Sequence, residues 1–261
     1  MAVFRFTAMY SITQYLSVIL LIPYKSILGD YQYLLEDLAI VLLFDFALGY
    51  TRPVGKLSGS RPKGSLLHPY TVYSFFMQTG VAVGFMLLAM WLVQQQPWYD
   101  PFDQIREEHL EDGELYVPYF ETTVDFITSS FQYVIMALVF SIGAPHRRPF
   151  FTNKPLIAST CGALIIILMC LFTPPDKIEY LELATIPSLP YKFYMLGLVA
   201  CNLILALAIE YSYRYIAPLQ WVLKALRCKR GYKNKFKYLV DEMNSNKEWP
   251  VSERPESEEK L

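Results

Sequence analysis

Charge is scarce in this chain. Asp, Glu, Lys and Arg make up 18% of its 261 residues, against about a quarter in ordinary soluble domains. Neither sign prevails: 23 Lys and Arg face 24 Asp and Glu, for a net charge of -1. That balance lacks the basic footprint of a nucleic-acid binder. Cysteine is equally sparse, with Cys161, Cys170 and Cys201 inside apolar runs and Cys228 in a basic stretch. With no Cys-x-x-Cys pair, a disulfide scaffold and a Cys-based zinc site are both excluded. His68, His109 and His146 are too scattered to suggest a metal site. Nucleotide chemistry has no foothold in the residues. Lys63 precedes Gly64, so the Gly-Lys-Ser/Thr order of a phosphate loop is missing. No nucleophile elbow and no Asp-Lys-Thr-Gly-Thr phosphorylation sequence occurs. Residues 1 to 3 carry no charged n-region and no small-residue cleavage site follows, so the first apolar run reads as a membrane helix rather than a signal peptide.

What the chain has in quantity is apolar and aromatic side chain. Hydrophobic residues reach 54% and aromatics 16%, with 20 Tyr and 17 Phe, and the mean hydropathy is +0.26. A soluble core of this size cannot hide so much apolar surface, so a lipid-facing protein is expected. Six stretches are long enough to cross a bilayer: approximately 4–24, 31–50, 70–94, 121–142, 156–173 and 191–213. Loop charges set their orientation. Arg52, Lys56, Arg61 and Lys63 follow the second span, Arg147, Arg148 and Lys154 the fourth, and a run from Lys224 to Lys237 the last. The loop after Trp98 is acidic, with Asp100, Asp103, Glu107, Glu108, Glu111, Asp112 and Glu114. The positive-inside rule then places both termini in the cytosol. The fold class is all-α, a polytopic membrane helix bundle of about six transmembrane helices. Residues 1–216 form the six-span domain, and 217–261 a cytosolic basic and amphipathic tail with a disordered end. Within that tail Phe236, Leu239, Val240 and Met243 recur with helical spacing, which predicts a short amphipathic helix.

Polar residues at membrane depth point to function, because a charge there is costly. Span two holds Asp37 and Asp45, with Glu36 beside the first; Asp30, Tyr33 and Asp37 share one helical face. Span one offers a matching stripe of Thr7, Tyr10, Gln14 and Ser17. The short turn near Ile27 makes these spans antiparallel neighbours, with Gln14 and Asp37 at compatible depths. A carboxylate, an amide oxygen and phenol rings suit an organic cation: charge pairing, a hydrogen-bond acceptor and cation–π attraction. They suit bare Ca²⁺ poorly, since that ion wants six to eight oxygens. The alternative is that Tyr10, Gln14 and Ser17 only join helices, as polar residues in bundles often do. Asp45 lies near the cytosolic end, within reach of water or a basic neighbour, and Glu36 points about 100° away from Asp37. Gly80 and Gly84 form a small-xxx-small pair, read as a helix-packing face.

Several local strings carry a family resemblance. Tyr10-Ser11-Ile12-Thr13-Gln14, followed by Leu28-Gly29-Asp30 through Asp37-Leu38, resembles the fifth and sixth membrane helices of type-V P-type ATPases of the polyamine-transporting branch. Gln95-Gln96-Pro97-Trp98-Tyr99 resembles the start of the family's lumenal loop after helix seven. Ser129-Ser130-Phe131-Gln132-Tyr133 resembles its helix eight, and Glu248-Trp249-Pro250 its C-terminal tail. The resemblance runs in order through nearly the whole chain. It implies that Tyr10, Gln14, Tyr33 and Asp37 line a polyamine pathway. The family usually has Phe at the Tyr33 position, which keeps the aromatic face, and an apolar residue at Glu36. It further implies a multi-pass protein of endosomal or lysosomal membranes that lacks catalytic residues and a cofactor of its own. ATP and Mg²⁺ serve the complete family member. The family's actuator, phosphorylation and nucleotide-binding domains, and its first four core helices, would all precede Met1. The expected partners are a polyamine or other organic cation, the bilayer, and the N-terminal half or another membrane protein. On this expectation the chain is a fragment, truncated isoform or separate gene product of such a transporter. A self-sufficient six-span channel, scaffold or regulatory protein is the alternative.

Overall fold

The computed structural model describes residues 2–55, 68–99, 119–142, 146–174, 179–215 and 235–245. The chain divides into two units, Met1–Gln220 and Trp221–Leu261. In the first unit the described elements are helical, with one isolated antiparallel bridge between Pro53 and Arg147. They run α1 (Ala2–Leu21), α2 (Asp30–Leu34), a π-helical segment (Leu35–Val41), α3 (Leu42–Gly49), α4 (Pro69–Gln94), α5 (Phe120–Phe140), α6 (Lys154–Phe172) and α7 (Leu189–Tyr215). In the second unit α8 (Lys235–Ser245) is the described element, as the spacing of Leu239 and Met243 predicts; both of these side chains are exposed. The expected disordered end after Trp249 lies outside the described residues.

Local chemistry starts and stops these helices. His68 caps α4 by accepting from the Tyr70 amide at 3.1 Å, with Pro69 in the first turn. Proline there costs little, because that amide has no intrahelical partner. Asn153 caps α6 the same way, its side chain accepting from the Leu156 amide at 3.1 Å. Its amide nitrogen donates to Ala47 O at 2.7 Å and Thr51 Oγ1 at 2.9 Å, which fastens α6 to the end of α3. After α1, Pro23 and a left-handed Lys25 (φ 51°) turn the chain back into α2.

Five described helices are long and apolar enough to cross a membrane: Ala2–Tyr24, Tyr70–Gln94, Phe120–Phe140, Lys154–Phe172 and Leu189–Ser212. The remaining expected span is helical from Asp30 to Gly49, but it differs in kind. Glu36, Asp37 and Asp45 lower its apolarity, and the π segment interrupts its α-helical ladder. π turns form i→i+5 bonds, recur at functional sites, and shift the faces that a 3.6-residue period would assign.

At the centre stands α5, packed against α1, α4, α6, α7 and the π segment. Every residue of α5 except Phe120 and Leu138 is buried. It is buried although it carries Glu121, Asp125, Ser129, Ser130 and Gln132. A helix so polar is costly to expose to hydrocarbon, and its neighbours enclose it. By contrast α1, α4, α6 and α7 turn large apolar residues outward, among them Val18, Phe76, Ile165 and Ile204. Gly80 and Gly84 also face outward, and a Cβ added at either would meet nothing within 4 Å. The expected packing face is therefore corrected: neither glycine sits at a close helix approach among the described residues.

One end of the bundle is closed by the segment before α7. Gln32 Nε2 donates to Leu181 O at 2.7 Å, and the Ala184 amide donates to Thr123 Oγ1 at 2.8 Å. Trp98 stacks edge-on to Phe120 and Tyr191, with ring centroids 5.0 and 5.3 Å away. Beside it the Tyr99 hydroxyl donates to Glu121, and burial raises the Tyr99 phenol above its ordinary pKa.

Candidate functional site

The polar stripe of α1 meets a carboxylate at each of three levels. Nearest the start of α1, Thr7 Oγ1 donates to Asp45 Oδ1 at 3.1 Å. One turn on, Tyr10 Oη and Gln14 Nε2 both donate to Asp37 Oδ1, at 2.7 and 2.9 Å. Further along, Ser17 lies against Asp125 of α5, its hydroxyl approaching without reaching hydrogen-bond geometry. Helical spacing explains the ladder, since positions three and four apart rise along one face of α1. The antiparallel run of α2 to α3 supplies Asp37 and Asp45 in the reverse order, as a hairpin must.

Asp37 is half-buried, as are Tyr10 and Gln14. Its Oδ1 holds both donors, while Oδ2 takes a hydrogen bond from no described residue. The Tyr10 ring is itself fixed edge-to-face against Tyr133 of α5, with centroids 5.6 Å apart. The Gln14 amide that donates to Asp37 also carries Oε1, an acceptor. Tyr33 is half-buried and packs against the core, within electrostatic reach of Asp37 and Glu36, but it forms no hydrogen bond with Asp37. Three of the four expected site residues are thus joined directly, and the fourth stands near them. Asp30, placed with Tyr33 and Asp37 by the helical period, is exposed at the start of α2. Asp45 accepts from Thr7, and among the described residues no basic side chain pairs with it.

Glu36 turns the other way and is completely buried. Ser129 Oγ and Ser130 Oγ of α5 donate to its Oε1 at 2.6 and 3.1 Å. Two neighbouring carboxylates therefore serve two sides of one π turn, Asp37 toward α1 and Glu36 toward α5. Asp125 and the Tyr133 hydroxyl also belong to this neighbourhood, and the stripe argument from the first two spans does not reach them. The signal that finds Asp125 is the one that finds Asp37: a carboxylate in an apolar span.

A second polar constellation joins the helices near the start of α1. Arg5 Nη1 forms an ion pair with Glu210 Oε1 at 2.9 Å, both side chains buried. Ser74 Oγ donates to Glu210 Oε2 at 2.6 Å, Tyr70 donates to Glu210, and Arg5 lies 4.5 Å over the Phe140 ring. This network ties α1, α4, α5 and α7 and is closed by its own counter-charge. A cavity of about 200 Å³ lined by Thr123, Cys170, Thr185 and Lys192 has no carboxylate in its lining. Lys192 makes it a poor seat for a cation.

No family model matches the chain. Polyamine-transporting ATPase 13A2 of Homo sapiens is 35% identical over 250 residues, covering 95% of this chain and 20% of that protein. Polyamine-transporting ATPase 13A3 of Homo sapiens is 32% identical over 279 residues, covering 99% of this chain and 22% of that protein. Probable cation-transporting ATPase 13A4 of Gallus gallus is 29% identical over 233 residues, 79% of this chain and 19% of that protein. The chain spans about one fifth of the length of these relatives. Over nearly its whole length the chain is homologous to type-V P-type ATPases of the polyamine-transporting branch, as a counterpart of part of their membrane-helix region.

Proposed function

We propose that these helices form part of the substrate pathway of an ATP-driven transporter of polyamines or similar organic cations. The observation that carries this reading is the half-buried Asp37, held by Tyr10 and Gln14 through one oxygen and open at the other. An ammonium group brings a positive charge and up to three N–H donors. Asp37 Oδ2 and Gln14 Oε1 supply acceptors, and the rings of Tyr10 and Tyr33 supply negative faces. The bonds from Tyr10 and Gln14 keep the carboxylate pre-set, so little ordering is required when the cation arrives. The names of the relatives, polyamine-transporting ATPases, support the same class of substrate.

On this reading ATP and Mg²⁺ act on parts of the transporter outside these 261 residues, and the membrane is endosomal or lysosomal. The experiment replaces the matching segment of human polyamine-transporting ATPase 13A2 with this chain and measures ATP turnover with and without spermine. Spermine-stimulated turnover that disappears in Asp37→Asn supports the proposal. Turnover indifferent to spermine, in a chimera that still forms phosphoenzyme, favours a scaffold or channel role.

A further inference from the structure

Behind Asp37 lies a set of buried polar atoms without partners among the described residues. Asp125 is 1% exposed, and neither of its oxygens accepts a hydrogen bond. Glu36 is 0% exposed, and its Oε2 has no partner although Oε1 has two. The Tyr133 hydroxyl is likewise buried and unpartnered, as is Thr128 Oγ1 one turn from Asp125 on the same helix. Glu36 lies within electrostatic reach of both Asp125 and Asp37, and Tyr133 within reach of all three carboxylates. Buried carboxyl groups without partners are costly, because each has given up water without gaining a bond. The described Arg and Lys side chains do not answer them: the buried Arg5 is committed to Glu210.

We propose that Glu36, Asp125 and Tyr133 form an inner cation subsite that takes a second ammonium group of the substrate bound at Asp37. This deepens the reading of Asp37 as a substrate carboxylate and rests on it. The geometry supplies the connection. Glu36 and Asp37 are adjacent, so their Cα atoms are about 3.8 Å apart while their side chains diverge around the π turn. Tyr10 bonds Asp37 on one side and packs its ring on Tyr133 on the other, so one aromatic pair lies along both subsites. A molecule with amines separated by a few methylenes can then place one charge at Asp37 and the next between Glu36 and Asp125. The methylenes lie against the Tyr10 and Tyr133 rings. A monoamine fills the outer subsite alone, so the inner subsite selects for the number of charges rather than for charge itself.

The test is equilibrium binding of n-butylamine and of spermidine to the complete chain in lipid nanodiscs. Spermidine is expected to bind at least tenfold more tightly than n-butylamine. Asp125→Asn and Glu36→Gln are each expected to remove most of that advantage while leaving n-butylamine affinity unchanged. Asp37→Asn is expected to weaken both ligands. Asp125→Asn keeps the size of the side chain, circular dichroism checks the helical content of both variants, and Asp125→Asn decides the matter alone if Glu36→Gln loses it. Spermidine affinity unchanged in Asp125→Asn, with Asp37→Asn still weakening it, overturns the inner subsite and leaves the outer one standing. Failure of either amine to bind the unaltered chain overturns the outer reading, and the inner one with it.

Discussion

Tyr10 donates a 2.7 Å hydrogen bond to the Asp37 carboxylate across the α1–α2 hairpin, and its ring leans on Tyr133 from the central helix. One residue thus sets the carboxylate and presents an aromatic face beside it. Tyr10→Phe keeps the face and loses the bond, so spermine affinity is expected to fall by about three- to tenfold, in line with one modest hydrogen bond. Tyr10→Ala loses both, and a further loss of about tenfold is expected from the missing cation–π contact. Calorimetric titration of the chain in nanodiscs separates the two.

The Arg5–Glu210 pair is expected to be structural. Glu210→Ala leaves a buried guanidinium without its counter-charge and should destabilise the bundle by about 3–5 kcal/mol. The double variant Arg5→Met/Glu210→Met removes both charges and should recover most of that loss. Thermal unfolding in detergent micelles measures both. A double variant as unstable as the single one would show that the surrounding hydroxyls of Tyr70 and Ser74 need the charge.

Asn153 performs two tasks, capping α6 and tying it to the end of α3. Asn153→Ala is expected to cost about 2–4 kcal/mol, the sum of a lost cap and lost buried bonds. Asn153→Asp preserves the capping oxygen but not the donors to Ala47 O and Thr51, so it should fall between the two. Denaturant titration followed by circular dichroism ranks the three proteins.

Orientation is open to direct labelling. In a chain without native cysteines, a cysteine at Lys63 should react with an impermeant maleimide from the cytosolic side alone. A cysteine at Glu108 should react from the opposite side alone. Labelling of both from one side would contradict the six-span topology.

The purified chain is expected to show no ATP hydrolysis above background and no acid-stable phosphoenzyme, since it carries no phosphorylation motif. A measurable phosphoenzyme would contradict the assignment of ATP chemistry to other residues.

Helix positions were legible because long apolar runs bounded by charge, proline and capping residues have few ways to satisfy their backbone in lipid. The expected 70–94 and 121–142 spans correspond to Pro69–Gln94 and Phe120–Phe140. The contact of Tyr10 and Gln14 with the next helix was legible for a related reason: they are one turn apart, and the short link to Asp30 fixes which helix they meet. The π segment was not, because hydrophobic periodicity presumes the α-helical repeat that the segment abandons. Within it Glu36 meets Ser129 and Ser130 while Asp37 faces Tyr10, a divergence that adjacent helical positions already allow. Nor does local pattern reveal that Arg5 meets Glu210, 205 residues away, because the encounter depends on how α1 and α7 pack. Asp125 lay within reach of the rule on intramembrane charge, but its place beside Ser17 depends on α5 occupying the centre of the bundle.

The central claim is that Asp37 receives a cation at the α1–α2 hairpin. Equilibrium binding of spermine to the chain in nanodiscs, compared between the unaltered protein and Asp37→Asn, tests it most directly. The substitution removes the charge and keeps an oxygen to accept from Tyr10 and Gln14. A fall in affinity of about a hundredfold is predicted, consistent with roughly 2–3 kcal/mol for a half-buried charge-assisted contact. Equal affinity in the two proteins would contradict the account.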